Sequence, residues 1–223
     1  MESRSNPSRK DAALKKIIPL VAVALLSACA RDGEIDQTGG IAITRTACPA
    51  VAIPAQTGDI TVFNPASSRD ARAIDVTANI TNLRMTCGDG GDDVVAEASF
   101  SVEARRTNTS GARTIELPYF VTVVRGGTVV VSKRVERVAI SFDDGQARGS
   151  ATAKGGAVIN RAAATLPADV RTKLTRKRRA DDADASIDPL SAPDVRAAVQ
   201  RASFELLIGF QLSADQLQYN ATR

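Results

Sequence analysis

The stretch IDVTANITNLRMTCGDGGDDVVAEASFSVEA occupies residues 74–104, and apolar and polar residues alternate along most of it. Ile74, Val76, Ala78 and Ile80 fall on one parity, with Asp75, Thr77 and Asn79 on the other. That period of two belongs to a half-buried strand. Past Asn82 the apolar parity shifts to Leu83, Met85 and Cys87, which predicts a bulge or bend near Thr81-Asn82. GDGGDD at 88–93 supplies turn chemistry. Ala96, Ala98, Phe100 and Val102 then alternate with Glu97, Ser99, Ser101 and Glu103. The segment reads as two long strands joined by a tight turn.

TIELPYFVTVV (114–124) and TVVVSKRVERVAISF (128–142) are rich in β-branched residues and flank Arg125-Gly126-Gly127, a hairpin signal. Pro118 in the first run predicts an edge position or a bulge there, because proline cannot donate to a ladder. DDGQ at 143–146 is another turn, and GSATAKGGAVINRAAATL at 149–166 is one more long strand or a hairpin. SFELLIGFQL (203–212) alternates strictly at Phe204, Leu206, Ile208, Phe210 and Leu212, while Leu207 on the other parity implies partial burial of both faces. APDVRAAVQRA before it reads as a short helix with Pro193 and Asp194 near its start. Eight or nine short-spaced strands predict an all-β fold, a single immunoglobulin-like β-sandwich over 41–220 with a short helix before the last strand. The chain has no tryptophan, so the antibody pattern of a Trp packed on a disulfide is absent, and the expectation is of the architecture and not of that family.

The first 28 residues read differently. Five basic and two acidic residues precede IIPLVAVALL (17–26), which is followed by the small residues Ser27 and Ala28. A positive start, a short apolar run and a small-residue end describe an export signal. A spanning helix needs about 20 apolar residues, and here Arg31 and Asp32 close the run early. Leu26-Ser27-Ala28-Cys29 resembles the lipobox of bacterial lipoproteins. The resemblance implies diacylglycerol on the Cys29 thiol, cleavage between Ala28 and Cys29, and frequently a further acyl chain such as palmitate on the new amino group. More than one chain suits a stable anchor, since a single one gives marginal binding at ~0.8 kcal/mol per buried methylene. Ala30, in place of an aspartate, favours by the same resemblance the periplasmic face of the outer membrane. Residues 29–40 would then be a lipidated, polar tether.

Removing the leader changes the charge reading. Of 29 basic and 25 acidic residues, five and two precede Ala30, which leaves 24 against 23 and a net near +1. No global basic field remains to draw the protein to nucleic acid. The 195 residues from Cys29 suit one domain with a proper core. With Cys29 lipidated, Cys48 and Cys87 remain, and an even pair in an oxidising compartment reads as a disulfide, with two buried thiols as the alternative. No zinc-type spacing is present, and no metal or cofactor is expected.

Between Pro167 and Ala202 the pattern breaks. RTKLTRKRR carries six basic residues between Arg171 and Arg179, and ADDADASIDPLSAP follows with four aspartates. The expectation is a charged, mobile loop at about 168–192. Its basic half could touch anionic head groups or phosphorylated glycans, at about 1 kcal/mol per Lys or Arg near such a surface. Asp89, Asp92 and Asp93 could offer oxygen ligands to calcium but lack the EF-hand spacing, and Asp and Gly are common in turns for backbone reasons.

The chain has no histidine, so the usual base for a Ser or Cys nucleophile is missing. No GxSxG, P-loop or GxGxxG motif occurs either. A carboxylate-only glycosidase survives that test, though 4% aromatic content is poor for sugar stacking. The C-terminal LLIGFQLSADQLQYN (206–220), Cys48-Pro49 and the LPYF at Leu117–Phe120 are similar to β-rich lipoproteins of alpha-type proteobacteria. That resemblance covers most of 47–220, implies no assigned activity, and does not extend to the charged loop. SADQLQYN reads as a helical turn capped by Ser213. The expected function is that of a lipid-anchored, non-catalytic envelope module, membrane-bound through Cys29, with an envelope protein partner and no nucleic acid. The alternative is a periplasmic binder of glycan, lipid or calcium.

Overall fold

Alternation builds the sheets. β3 (Ile74–Gly90) and β4 (Asp93–Arg106) form an antiparallel hairpin, with Gly91 and Asp92 as the turn and Gly91 at φ +78°. The parity shift in β3 is a bulge: the register slips between Thr81 and Arg84, and Asn82 takes a left-handed φ of 52°, a conformation Asn tolerates better than most residues. In this computed structural model, residues 46–176, 178–179 and 181–222 are described, the side chain of Asp89 excepted. Residues 46–176 and 186–222 make up the main unit, and 178–185 belongs to a second, considered by itself.

Eight strands form two four-stranded sheets. β1 (Ala50–Ala52), β8 (Phe204–Phe210), β5 (Arg113–Arg125) and β6 (Val129–Phe142) lie in that order in the first, and β2 (Asp59–Phe63), β3, β4 and β7 (Arg148–Asn160) in the second. β1 runs parallel to β8, and all other pairs are antiparallel. β4 and β7 are neighbours in one sheet while the β5–β6 hairpin between them in sequence lies in the other, a Greek-key type of connection. Phe100, Val102, Val76 and Ala98 from one sheet and Leu206, Ile208, Phe210, Ile140 and Phe142 from the other share one core, each at most 1% exposed. The parity expected for β8 holds, and Leu207 is half-buried on the other face.

The β5–β6 turn runs through Gly126 and Gly127, at φ +63° and +75°. Gly126 is required twice over, since a Cβ there would come within 3.0 Å of the Gln200 carbonyl. Pro118 corrects one expectation in part. The bulge of this hairpin lies at Val123/Val124, and β5 has neighbours on both sides. Pairing with β8, however, starts only at Tyr119, and the Pro118 carbonyl accepts the Gln211 N–H at 2.9 Å where β8 has ended. The missing N–H therefore faces a local edge.

The expectation of a loop at about 168–192 is corrected over its first eight residues. They form α1 (Ala168–Thr175), whose Val170 and Leu174, one helical turn apart, pack on Val195 and Ala198 of α2 (Pro193–Ala202). A 3-10 turn at Pro189–Ser191 follows, with the Asp188 carboxylate accepting the Leu190 N–H at 2.9 Å. In place of one short helix there are thus two before β8, and the expected Ser213-capped turn after it extends to a helix, α3 (Ala214–Thr222). Among the described residues no helix is long and apolar enough to cross a membrane.

Candidate functional site

A two-sheet fold has four edges, each a row of unpaired backbone groups that must be covered or left to bind. β1 is only three residues long. β2 is covered by α3, which starts on a reciprocal cap: Gln216 N–H donates to Ser213 Oγ at 3.2 Å and Ser213 N–H to Gln216 Oε1 at 2.9 Å. From α3, Gln216 donates to the Thr61 carbonyl, and Asn220 donates to those of Gln56 (2.8 Å) and Asp59 (2.9 Å). Tyr219 meets Phe63 edge-on at 5.2 Å. On β7, the Gly156 carbonyl accepts from Arg134 Nη2, and the Lys154 carbonyl lies 2.9 Å from the Tyr119 hydroxyl, sharing its one proton with Glu136.

β6 is different. Val138, Ile140 and Phe142 are buried, but every residue from Val129 to Arg137 is exposed, Val129, Val130, Val131 and Val135 by 51–60%. The strand leaves the core halfway along its length. Its core-facing parity there carries Ser132, Arg134 and Glu136. The Tyr119 hydroxyl lies 2.8 Å from Glu136 Oε2, and burial first, then this hydrogen bond, pushes its pKa far above the ordinary phenol value. On the outer parity stand Lys133, with Nζ 5.2 Å from the Phe120 ring centre, then Val135, then Arg137, 3.9 Å from the well-exposed Glu116. Residues 125–137 hold four basic side chains and one acid. Among the described residues no strand pairs with the outer edge of β6.

At one end of the sandwich, Arg106 is 1% exposed and has no carboxylate partner among the described residues. Its guanidinium donates to the carbonyls of Gln146 (2.7 Å), Gly111 (2.8 Å), Thr109 (2.8 Å) and Asp143 (2.7 Å), and lies 5.2 Å from the Phe142 ring centre. It ties the β4–β5 and β6–β7 loops together. Nearby, Arg113 grips both oxygens of Asp75 at 2.7 Å, and this hydrogen bonding holds the Asp75 carboxyl below its usual pKa.

The residues singled out in the sequence scatter. Ala28 and Cys29, with the expected signal at 1–28 and tether at 29–40, lie outside the described residues. Cys48 and Cys87 are joined as a disulfide, Cα–Cα 6.1 Å, which links the approach to β1 in one sheet to β3 in the other. Among the described residues no group of three or more His, Cys, Asp or Glu converges as a metal site, and Asp92 and Asp93 offer their backbone carbonyls to Arg161. In the basic run, Lys173 pairs with Asp194 at 3.1 Å and Arg178 approaches Asp184 at 3.8 Å, so aspartates offset part of its charge.

Shallow hollows occur among the described residues. One, of about 540 Å³, is lined by Asp92, Asn160, Arg161, Thr165 and Leu166. Another, of about 470 Å³, lies beside the Arg69–Asp215 ion pair. Each carries a single carboxylate. Sequence reasoning did not single out Arg106 or the β6 edge, although both had a signal in the strand parity. Comparison with protein-family models, with curated proteins and with solved structures returned no match.

Proposed function

We propose that the chain is a lipid-anchored, non-catalytic module of the bacterial envelope, held through acyl chains on Cys29 at the periplasmic face of the outer membrane. It presents an immunoglobulin-like sandwich to a protein partner. The observation that carries the interaction reading is the outer edge of β6, where among the described residues no strand pairs and every residue from Val129 to Arg137 is exposed, while β1 is short and β2 lies under α3. Parallel pairing of the first strand with the last, and a disulfide spanning the two sheets, support the immunoglobulin-like description. The lipobox and the short apolar run before it support the anchor. A tether of residues 30–40 reaches about 35 Å from the bilayer when extended, at roughly 3.4 Å per residue.

The test is fractionation of a Gram-negative host expressing the full chain or its Cys29→Ala form. Wild type is expected in outer-membrane fractions, and Cys29→Ala is expected to leave them. An identical distribution of the two would contradict the anchor.

A further inference from the structure

We propose that the outer edge of β6 takes up an extended segment of a partner protein as an added strand, and that this segment places carboxylates opposite Lys133 and Arg137 and an apolar side chain opposite Val135. The inference rests on the interaction-module reading above and names the chemistry of the partner.

The backbone makes the offer. Gln211 N–H donates to the Pro118 carbonyl, so even-numbered residues of β5 turn their polar groups toward β8 and odd-numbered ones toward β6. Tyr119 and Val121 therefore bond to their partners Glu136 and Arg134. By alternation, Lys133, Val135 and Arg137 direct their N–H and C=O groups outward, where no strand pairs with them among the described residues. These three residues also have exposed side chains on one face, in the order basic, apolar, basic.

The side chains choose the partner. Between Arg125 and Arg137 the hairpin carries a net charge of +3. Opposite charges across a strand pair stabilise it and like charges oppose it. A second copy of β6 is a poor match: Glu136 is the one acid in 129–137, and it sits on the face opposite to Lys133 and Arg137. No face-matched self-pairing sets a carboxylate against either of them. An anionic lipid surface supplies charge but no ladder of donors and acceptors for the outward amides. A strand of pattern acid-x-apolar-x-acid supplies both.

The probe is a blocked, fluorescent peptide, Thr-Glu-Thr-Val-Thr-Glu-Thr, titrated by anisotropy against the processed full-length protein in detergent, beside a peptide with Lys for both Glu. The acidic peptide is expected to bind at least about tenfold more tightly than the basic one. Val135→Pro removes an outward donor without touching the β5 ladder, and it is expected to weaken binding at least about tenfold at unchanged stability. Lys133→Glu combined with Arg137→Glu is expected to reverse the preference between the peptides. Equal affinities, wild-type binding by Val135→Pro, no binding at millimolar peptide, or binding only to phosphatidylglycerol vesicles or to a second copy would each overturn the proposal.

A photocrosslinking side chain placed at Val135, and separately at Arg171, in envelope-localised protein keeps the two claims apart. Protein adducts from 171 alone remove the β6 assignment and leave the interaction module. Adducts from neither position remove the module reading as well.

Discussion

Replacing Arg106 with Met is expected to destabilise the fold by about 3 kcal/mol, because it strips four backbone carbonyls of their donor at roughly 1–3 kcal/mol for each that stays dry, less the desolvation cost of burying the cation. The residue is 1% exposed and makes four hydrogen bonds, all to backbone carbonyls of two loops. Methionine fills much of the same volume, so the loss isolates the donors from the cavity. Those four carbonyls would have to reach water, and the loops at 107–112 and 143–147 could do that only by parting. Gly145 N–H to Thr109 O (2.9 Å) and Gly111 N–H to Asp144 Oδ1 (2.6 Å) would then be lost with them. Arg106→Lys is expected to recover only a minor part, because an ammonium group cannot reproduce the planar fork that reaches both loops. Urea unfolding measures this. A loss below about 1 kcal/mol for Arg106→Met would mean that the loops hold together without the clamp.

Removing the disulfide ranks beside it. The bond closes a loop with a sequence separation of 39, which in the chain-entropy model stabilises the fold by about 4 kcal/mol. It also has a local task. β1 is three residues long and pairs only with Glu205–Leu207, so few ladder bonds hold the approach to the domain in place. The Cys48→Ala, Cys87→Ala double variant is therefore expected to unfold at distinctly lower urea than wild type. Wild type in reductant should coincide with it, and β1 should be the first element to lose amide protection. Coincident midpoints for oxidised and reduced wild type would contradict the account.

Legibility in the sequence followed the strength of the periodicity. β3, β4 and β8 could be read in detail, including the bulge at Asn82, because one face of each is buried in the core and imposes alternation. α1 was obscured because Val170 and Leu174 are its whole apolar stripe, set among Arg171, Lys173 and Arg176, and its stability comes from contact with α2. Arg106 continues the core-facing parity of Ala96, Ala98, Phe100, Val102 and Ala104, and an arginine on that parity marks a buried charge in need of acceptors. Ser132, Arg134 and Glu136 likewise stand on the parity of Val138, Ile140 and Phe142, and that change marks where β6 leaves the core. Both signals were present, but neither tells which groups meet the side chain. The pairing of β1 with β8 and the capping of β2 by Gln216 and Asn220 join residues more than 150 apart in the chain, and no local pattern encodes such contacts.

Anchoring at Cys29 is the claim on which the location and the role both depend, and intact mass of the protein extracted from its membrane tests it most directly. The expected chain begins at Cys29, heavier than its residues by the acyl groups and lighter by the two hydrogens lost in joining Cys48 to Cys87. An unmodified chain, or one that retains residues 1–28, would contradict it.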